Sequence, residues 1–299
     1  MSARQNHVVG AEAVAAKGWL RAHQWLILRR MSQLGILLAF LIGPGFGLWL
    51  VKGNLNASET LHVLPLTDPF LLLQTLLTRH WPQTTAVVGA AIVVAFYVLV
   101  GGRSFCAWTC PVNLVTDAAA SLRRRLNLGG GAHLSRSTRH WILAMTLIVA
   151  ALTGTVAWEM VNPVSMLHRG LIFGMGFGWV VIAALFLFDL FVVRNGWCGH
   201  LCPVGAFYGL IGRASVLRVQ LPAREACNDC LDCFAVCPEH QIIRPPLKGV
   251  KGAAPIVLDA RCTNCGRCID VCSKDVFAFG PRFTAPSVAA SGPPTAEPK

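Results

Sequence analysis

Apolar residues in this chain gather in four runs, at about 33–52, 84–102, 140–158 and 171–193, each close to twenty residues long and nearly free of charge. At about 1.5 Å per residue such a run crosses the hydrocarbon layer of a bilayer, so the pattern predicts four transmembrane helices. Buried helices of a soluble core would read similarly, but four such runs in 299 residues exceed what a soluble core supplies. Ahead of the first run, residues 18–30 alternate basic and apolar positions at roughly helical spacing. That predicts a short amphipathic helix along the membrane surface, or a plain extension of the first span. From about residue 214 the apolar runs give way to cysteine, proline and charge, which predicts a small soluble domain. Residues 283–299, rich in Pro, Ala and Ser, are expected to be disordered.

Composition agrees with lipid as the solvent: 54% of residues are hydrophobic and 13% charged. The formal charge of +12 raises the question of nucleic acid, but the aromatic residues lie in the apolar runs and are not interleaved with a basic stripe. Anionic lipid headgroups are the simpler partner, and no nucleic acid is expected. Basic residues also set the orientation. Arg4, Lys17, Arg21, Arg29 and Arg30 precede the first span, and Arg103, Arg123, Arg124, Arg125, Arg136 and Arg139 lie between the second and third. The other connections carry only Lys52 and Arg79, and Arg169. Both termini are therefore expected in the cytoplasm of a multi-pass protein of the bacterial inner membrane. The chain start, with Arg4, Glu12, Lys17 and Arg21 and no small-residue cleavage site after a short apolar core, does not read as a secretory peptide.

All twelve cysteines fall in spaced groups, which argues against a disulfide framework and for metal ligation. Cys227-x2-Cys230-x2-Cys233-x3-Cys237-Pro238 is followed by Cys262-x2-Cys265-x2-Cys268-x3-Cys272. This is the spacing of bacterial two-cluster ferredoxins, in which three cysteines wrap one cubane and the fourth reaches the other. The expected sets are Cys227, Cys230, Cys233 and Cys272 for one [4Fe-4S] cluster, and Cys262, Cys265, Cys268 and Cys237 for the second. Zinc sites usually use two separated C-x2-C pairs, unlike these three-cysteine runs. Cys272 is followed by Ser273 where Cys237 is followed by proline. The expected fold is thus an α-helical membrane protein of four transmembrane helices with a C-terminal α+β two-[4Fe-4S] ferredoxin-like domain. Its parts are a cytoplasmic segment with the amphipathic helix (1–31), the membrane domain (32–213), the ferredoxin-like domain (214–282) and the tail (283–299).

An internal repeat relates Ser104-Phe-Cys106-Ala-Trp-Thr-Cys110-Pro-Val112 to Gly196-Trp-Cys198-Gly-His-Leu-Cys202-Pro-Val204. Cysteines at i and i+4 share one helix face, so Cys106 and Cys110 can converge with Cys198 and Cys202 on a four-thiolate site. A third iron-sulfur cluster is the favoured reading. A redox-active dithiol pair, or structural cysteines at helix boundaries, are the alternatives. These four are also the only catalytic candidates. Haem is not expected, since His140, at an edge, is the sole histidine in any span. Asp189 within the fourth span and Glu159 near the outer end of the third are candidate proton acceptors by their placement. The plainer reading pairs Asp189 with Arg194 and leaves Glu159 at the interface.

Taken together, the four spans, both C-x3-C-P motifs, the run Gly196–Tyr208, the stretch Leu64-Pro-Leu-Thr-Asp-Pro-Phe70 and the double ferredoxin motif resemble the NapH family, over about residues 20–280. That family comprises ferredoxin-type membrane components of the quinol dehydrogenase serving periplasmic nitrate reductase. The resemblance implies electron transfer from a membrane quinol, with a periplasmic iron-sulfur protein and other components of that system as partners, and no nitrate reduction by this chain. The expected route starts near the inner ends of spans two and four and runs through the C-x3-C-P region and the two cubanes. A membrane ferredoxin-type assembly factor for a copper-containing respiratory oxidase shares the architecture and is the competing function. A nitrous oxide reductase maturation protein would need a large outer flavin domain, for which residues 53–83 are too few.

Overall fold

In the computed structural model, which describes residues 8–283 other than 48, 133 and 175, most of the first apolar run lies in one continuous helix, Gln24–Phe46, long and apolar enough to cross a membrane, while Val51 and Lys52 at the end of the expected span enter a β-strand instead. Residues 24–30 thus extend this helix, and only a short turn, Trp19–Ala22, stands apart from it, separated at His23. The other three runs form shorter apolar helices, Thr84–Val100, Thr138–Thr153 and Gly178–Val192. Backbone chemistry at their ends trims them. Gly101 turns out of the second at φ +123°, Gly154 ends the third in the left-handed region, and the fourth loosens into a π-helical turn at Phe188–Val192.

The connection after the first helix is no open loop. β1 (Val51–Gly53), β2 (Ala57–Thr60) and β3 (Leu64–Thr67) form an antiparallel sheet in which Val51 faces Thr60 and Ala57 faces Thr67. Asp68 then caps the Pro69–Leu77 helix by accepting from the Phe70 N–H at 3.0 Å, and Pro69 occupies a first-turn position where a missing N–H costs nothing. The same device recurs after the third apolar helix. Asn162 accepts from the Val164 N–H at 3.1 Å, and Pro163 opens the Pro163–Phe173 helix. β3 lies directly on the second apolar helix at Gly89, where a Cβ would stand 3.0 Å from Thr67 Oγ1 and 3.1 Å from the Pro65 carbonyl. The sheet therefore folds back along the helices.

The chain divides into two compact units. One contains residues 27–216 and 259–265: the apolar helices, the three-stranded sheet and the cysteine-bearing turns. Phe70, Tyr97, Phe105, Leu143, Trp158 and Tyr208 are central to its buried core.

The other unit contains the described residues up to Leu26, then 217–258 and those from Gly266 on. Here β4 (Leu217–Gln220) pairs antiparallel with β5 (Ala278–Pro281), bracketing the short helices Asp232–Val236 and Arg267–Asp270. The start of the chain belongs to this unit and does not stand as a separate segment. The Gly10 N–H donates to Asp232 at 2.8 Å, Lys17 Nζ to the Ile269 carbonyl at 2.7 Å, and the Trp25 and Leu26 N–H groups to Asp270 at 3.0 and 2.9 Å. The expected disordered tail lies outside the described residues from 284 on.

Candidate metal centres

The first C-x3-C-P motif sits where the Gly101-Gly102 turn reverses the chain into the short helix Ser104–Trp108. The second begins within the π-helical turn Trp197–Leu201, which carries Cys198, and Cys202 caps the Pro203–Ile211 helix, its sulfur accepting from the Gly205 N–H at 3.4 Å. The two motifs lie near one another. Cys106, Cys110, Cys198 and Cys202 lie close enough that the charge on each would be felt by the others. Cys106 Sγ is 3.8 Å from where a Gly205 Cβ would stand, and Cys198 Sγ is 3.8 Å from Thr116 Oγ1.

Burial pushes all four thiols above their ordinary range, Cys202 to about 12, while Arg103 and Arg139 draw Cys106 partly back. A reactive dithiol needs a stabilised thiolate, which this burial does not supply. Among the described residues, no three His, Cys, Asp or Glu side chains are grouped to hold a single metal ion. A tetrahedral zinc would draw its sulfurs to within about 4 Å of one another, whereas the corner irons of a cubane hold them wider apart.

Arg103, 2% exposed, fastens a further segment beside this quartet. Its Nη2 donates to the Cys198 carbonyl at 3.0 Å and its Nη1 to the Arg261 carbonyl at 2.9 Å. Trp108 Nε1 donates to the Asn264 carbonyl at 3.0 Å, and Asn264 Nδ2 to the Val100 carbonyl at 2.9 Å. The segment 259–265, which carries Cys262 and Cys265, is thereby tied to residues flanking Cys106.

In the other unit Cys227, Cys230, Cys233 and Cys272 line one small pocket with Leu231 and Phe277. Burial and the neighbouring sulfurs push Cys233 to about 12 and Cys230 upward. The run wraps because Asp229 and Leu231 adopt left-handed backbone at φ +57° and +66°. Asn264 and Gly266, at the corresponding places in the second run, do the same at +45° and +71°. Of the second expected set, Cys237 and Cys268 belong to this unit, while Cys262 and Cys265 belong to the segment described above.

Asp189 Oδ1 accepts the Trp197 N–H at 2.9 Å and so pins the turn carrying Cys198. Glu159 accepts from Asn56 and Asn162 at 2.5 and 3.3 Å and pairs with Arg169 at 3.7 Å. Sequence reasoning missed Arg103, Asp68 and Tyr208. The last two are joined by a hydrogen bond from the Tyr208 hydroxyl to Asp68 Oδ1 at 3.0 Å. The repeated Asp-Pro and Asn-Pro dipeptides were the available signal, since a cap residue followed by proline marks a helix start.

Two family models match the chain. A "4Fe-4S binding domain" matches residues 83–129 and again 175–222, each stretch containing one C-x3-C-P motif, and a "4Fe-4S dicluster domain" matches residues 226–276. The methylamine utilization ferredoxin-type protein MauN of Methylorubrum extorquens is 54% identical, over 89% of this chain and 92% of that protein. The ferredoxin-type protein NapH of Escherichia coli is 47% identical over 95% of this chain and 98% of its own. MauN of Paracoccus denitrificans is 52% identical over 91% and 95%. No solved structure matches.

Proposed function

The chain belongs to the NapH and MauN family of ferredoxin-type iron-sulfur electron-transfer proteins, and we propose that it draws electrons from a membrane quinol and passes them toward a periplasmic nitrate reductase. Four helices cross the membrane with both termini inside. Cys227, Cys230, Cys233 and Cys272 hold one [4Fe-4S] cluster, and Cys262, Cys265, Cys268 and Cys237 a second. Cys106, Cys110, Cys198 and Cys202 hold a third. Each cluster supplies a one-electron carrier. The protein's own residues do the rest. Buried Phe105, Val112 and Val204 keep water from the quartet, Arg103 and Arg139 balance part of its negative charge, and Asp189 fixes the turn bearing Cys198.

The observation that carries this reading is the fastening by Arg103 and Trp108 of the segment bearing Cys262 and Cys265 next to the helix bearing Cys106. That arrangement suits a continuous wire from the C-x3-C-P region into the dicluster. The likeness to MauN, named for methylamine utilization, favours a second reading in which the same wire serves that process.

Iron and acid-labile sulfide counts with electron paramagnetic resonance on anaerobically purified protein test the core of it. About twelve irons per chain are expected, with [4Fe-4S] signals that appear on adding quinol, falling to about eight when all four C-x3-C-P cysteines are replaced by alanine. Unchanged iron in that variant would remove the third cluster. Clusters that reduce with dithionite and ignore every quinol would replace the respiratory role with that of an assembly factor.

A further inference from the structure

A cavity of about 460 Å³ lies among the first two apolar helices, the β1–β3 sheet and the first C-x3-C-P turn. Its volume falls within the roughly 300–1,000 Å³ range of small-molecule sites. The walls are apolar, with Ile36, Ala39, Val93 and Phe96 among them, and polar groups gather at one end. There the Tyr208 hydroxyl donates to Asp68 Oδ1 at 3.0 Å, and the Tyr97 and Thr109 hydroxyls lie 3.3 Å apart. The Tyr97 and Tyr208 rings meet edge to face at 5.1 Å, and Phe105 stacks on Tyr208 at 4.8 Å. Asp68 uses Oδ1 for both its hydrogen bonds, to the Phe70 N–H and to Tyr208, and Oδ2 has no partner among the described residues. Phe105 and Thr109 line the cavity, and the next residues along, Cys106 and Cys110, belong to the thiol quartet. The polar end of the cavity and the candidate metal centre are thus built from adjacent residues of the same turn.

This combination is unusual for a site that merely admits a lipid tail, since an apolar chain gains nothing from a half-used carboxylate. It suits a flat, mostly apolar ring with one hydroxyl to donate. We propose that the cavity is the quinol-binding site, with the hydroquinone hydroxyl donating to Asp68 Oδ2. The inference rests on the quinol reading above and adds where the ring sits and what holds it. Asp68→Asn keeps the helix cap, because Asn caps as well as Asp. With the amide oxygen engaged by the Phe70 N–H and Tyr208, the amide nitrogen replaces Oδ2. An acceptor becomes a donor, which suits the carbonyl of an oxidised quinone and opposes the hydroxyl of a quinol.

The test is equilibrium binding of a short-tailed benzoquinone and a short-tailed naphthoquinone, each oxidised and reduced, to the anaerobic, detergent-solubilised full chain. One molecule per chain is expected. Asp68→Asn should weaken the reduced form about tenfold or more, the scale of a lost hydrogen bond to a charged group, and leave the oxidised form as tight or tighter. Ala39→Trp, which fills the cavity from the first helix, should abolish binding of both at unchanged iron content. Equal loss of both forms in Asp68→Asn would reduce that residue to a structural role and overturn the proposal. Unaltered binding in both variants would put the site elsewhere while the quinol reading stood. If no quinone binds the unaltered protein, the quinol reading falls with it.

Discussion

Gly102→Ala probes how tightly the first C-x3-C-P turn is docked. A methyl group on Gly102 would land on the Tyr208 carbonyl oxygen and the Gly212 nitrogen, and 2.6 Å from Gly212 Cα. All three are backbone atoms, and comfortable separations start near 3.5 Å, so the end of the Pro203–Ile211 helix must retreat by about 1 Å. Tyr208 rides on that helix, and the same shift would stretch its 3.0 Å bond to Asp68 past hydrogen-bonding reach. Overpacking at about 1–3 kcal/mol and the lost hydrogen bond at about 1–3 kcal/mol together cost about 2–6 kcal/mol, or roughly 5–20 °C in melting temperature. Gly209→Ala, one turn away on the same helix, is the matched control. Its Cβ would make only ordinary contacts, with the Arg103 Cδ at 3.6 Å and the Ala260 carbonyl oxygen at 3.8 Å, and helix propensity predicts a gain of up to about 1 kcal/mol. The assay is thermal melting of both variants in detergent, with iron content measured alongside. If Gly102→Ala melts together with Gly209→Ala and keeps its iron, the close approach of turn and helix is not a constraint and the reasoning fails.

Two further outcomes follow from buried charge. Asp117 pairs with Arg29 at 3.5 Å and Arg30 at 2.6 Å, and Arg29 is 1% exposed. Asp117→Ala should cost about 3–5 kcal/mol, read as a depressed melting temperature, and a loss under about 1 kcal/mol would show that the pair is not needed to offset the buried guanidinium. Asp68, in the connection between the first two apolar helices, is pushed up to about 6, first by burial and further by Glu159, against the Phe70 N–H and Tyr208 bonds that lower it. The folded protein then holds a proton that the unfolded chain, titrating near 3.8, has released. This contribution to stability is complete below about pH 4 and is lost as the pH rises through about 6. Asp68→Asn should flatten the fall in melting temperature between about pH 4 and about pH 6, and an unaltered slope would assign that fall to other groups.

The cluster motifs and the apolar runs were legible in one dimension because both depend on local rules. Three ligands within seven residues can wrap one metal core whatever the rest of the chain does, and a span needs only enough consecutive apolar residues. Helix ends were legible in principle too, through Gly101, Gly154, Asp68-Pro69 and Asn162-Pro163. What the tertiary structure alone decided is which other distant segments meet. Asp68 reaches Tyr208 across nearly half of the chain. The start of the chain joins the ferredoxin-like unit through Asp232 and Asp270, and Cys262 and Cys265 are held by Arg103 and Trp108. These meetings depend on backbones that approach closely only where a side chain is missing, at Gly89 and Gly102, and on buried donors that must find carbonyls. Neither condition leaves a period or a spacing along the chain, which is why hydrophobic pattern and ligand count predicted the parts and not their contacts.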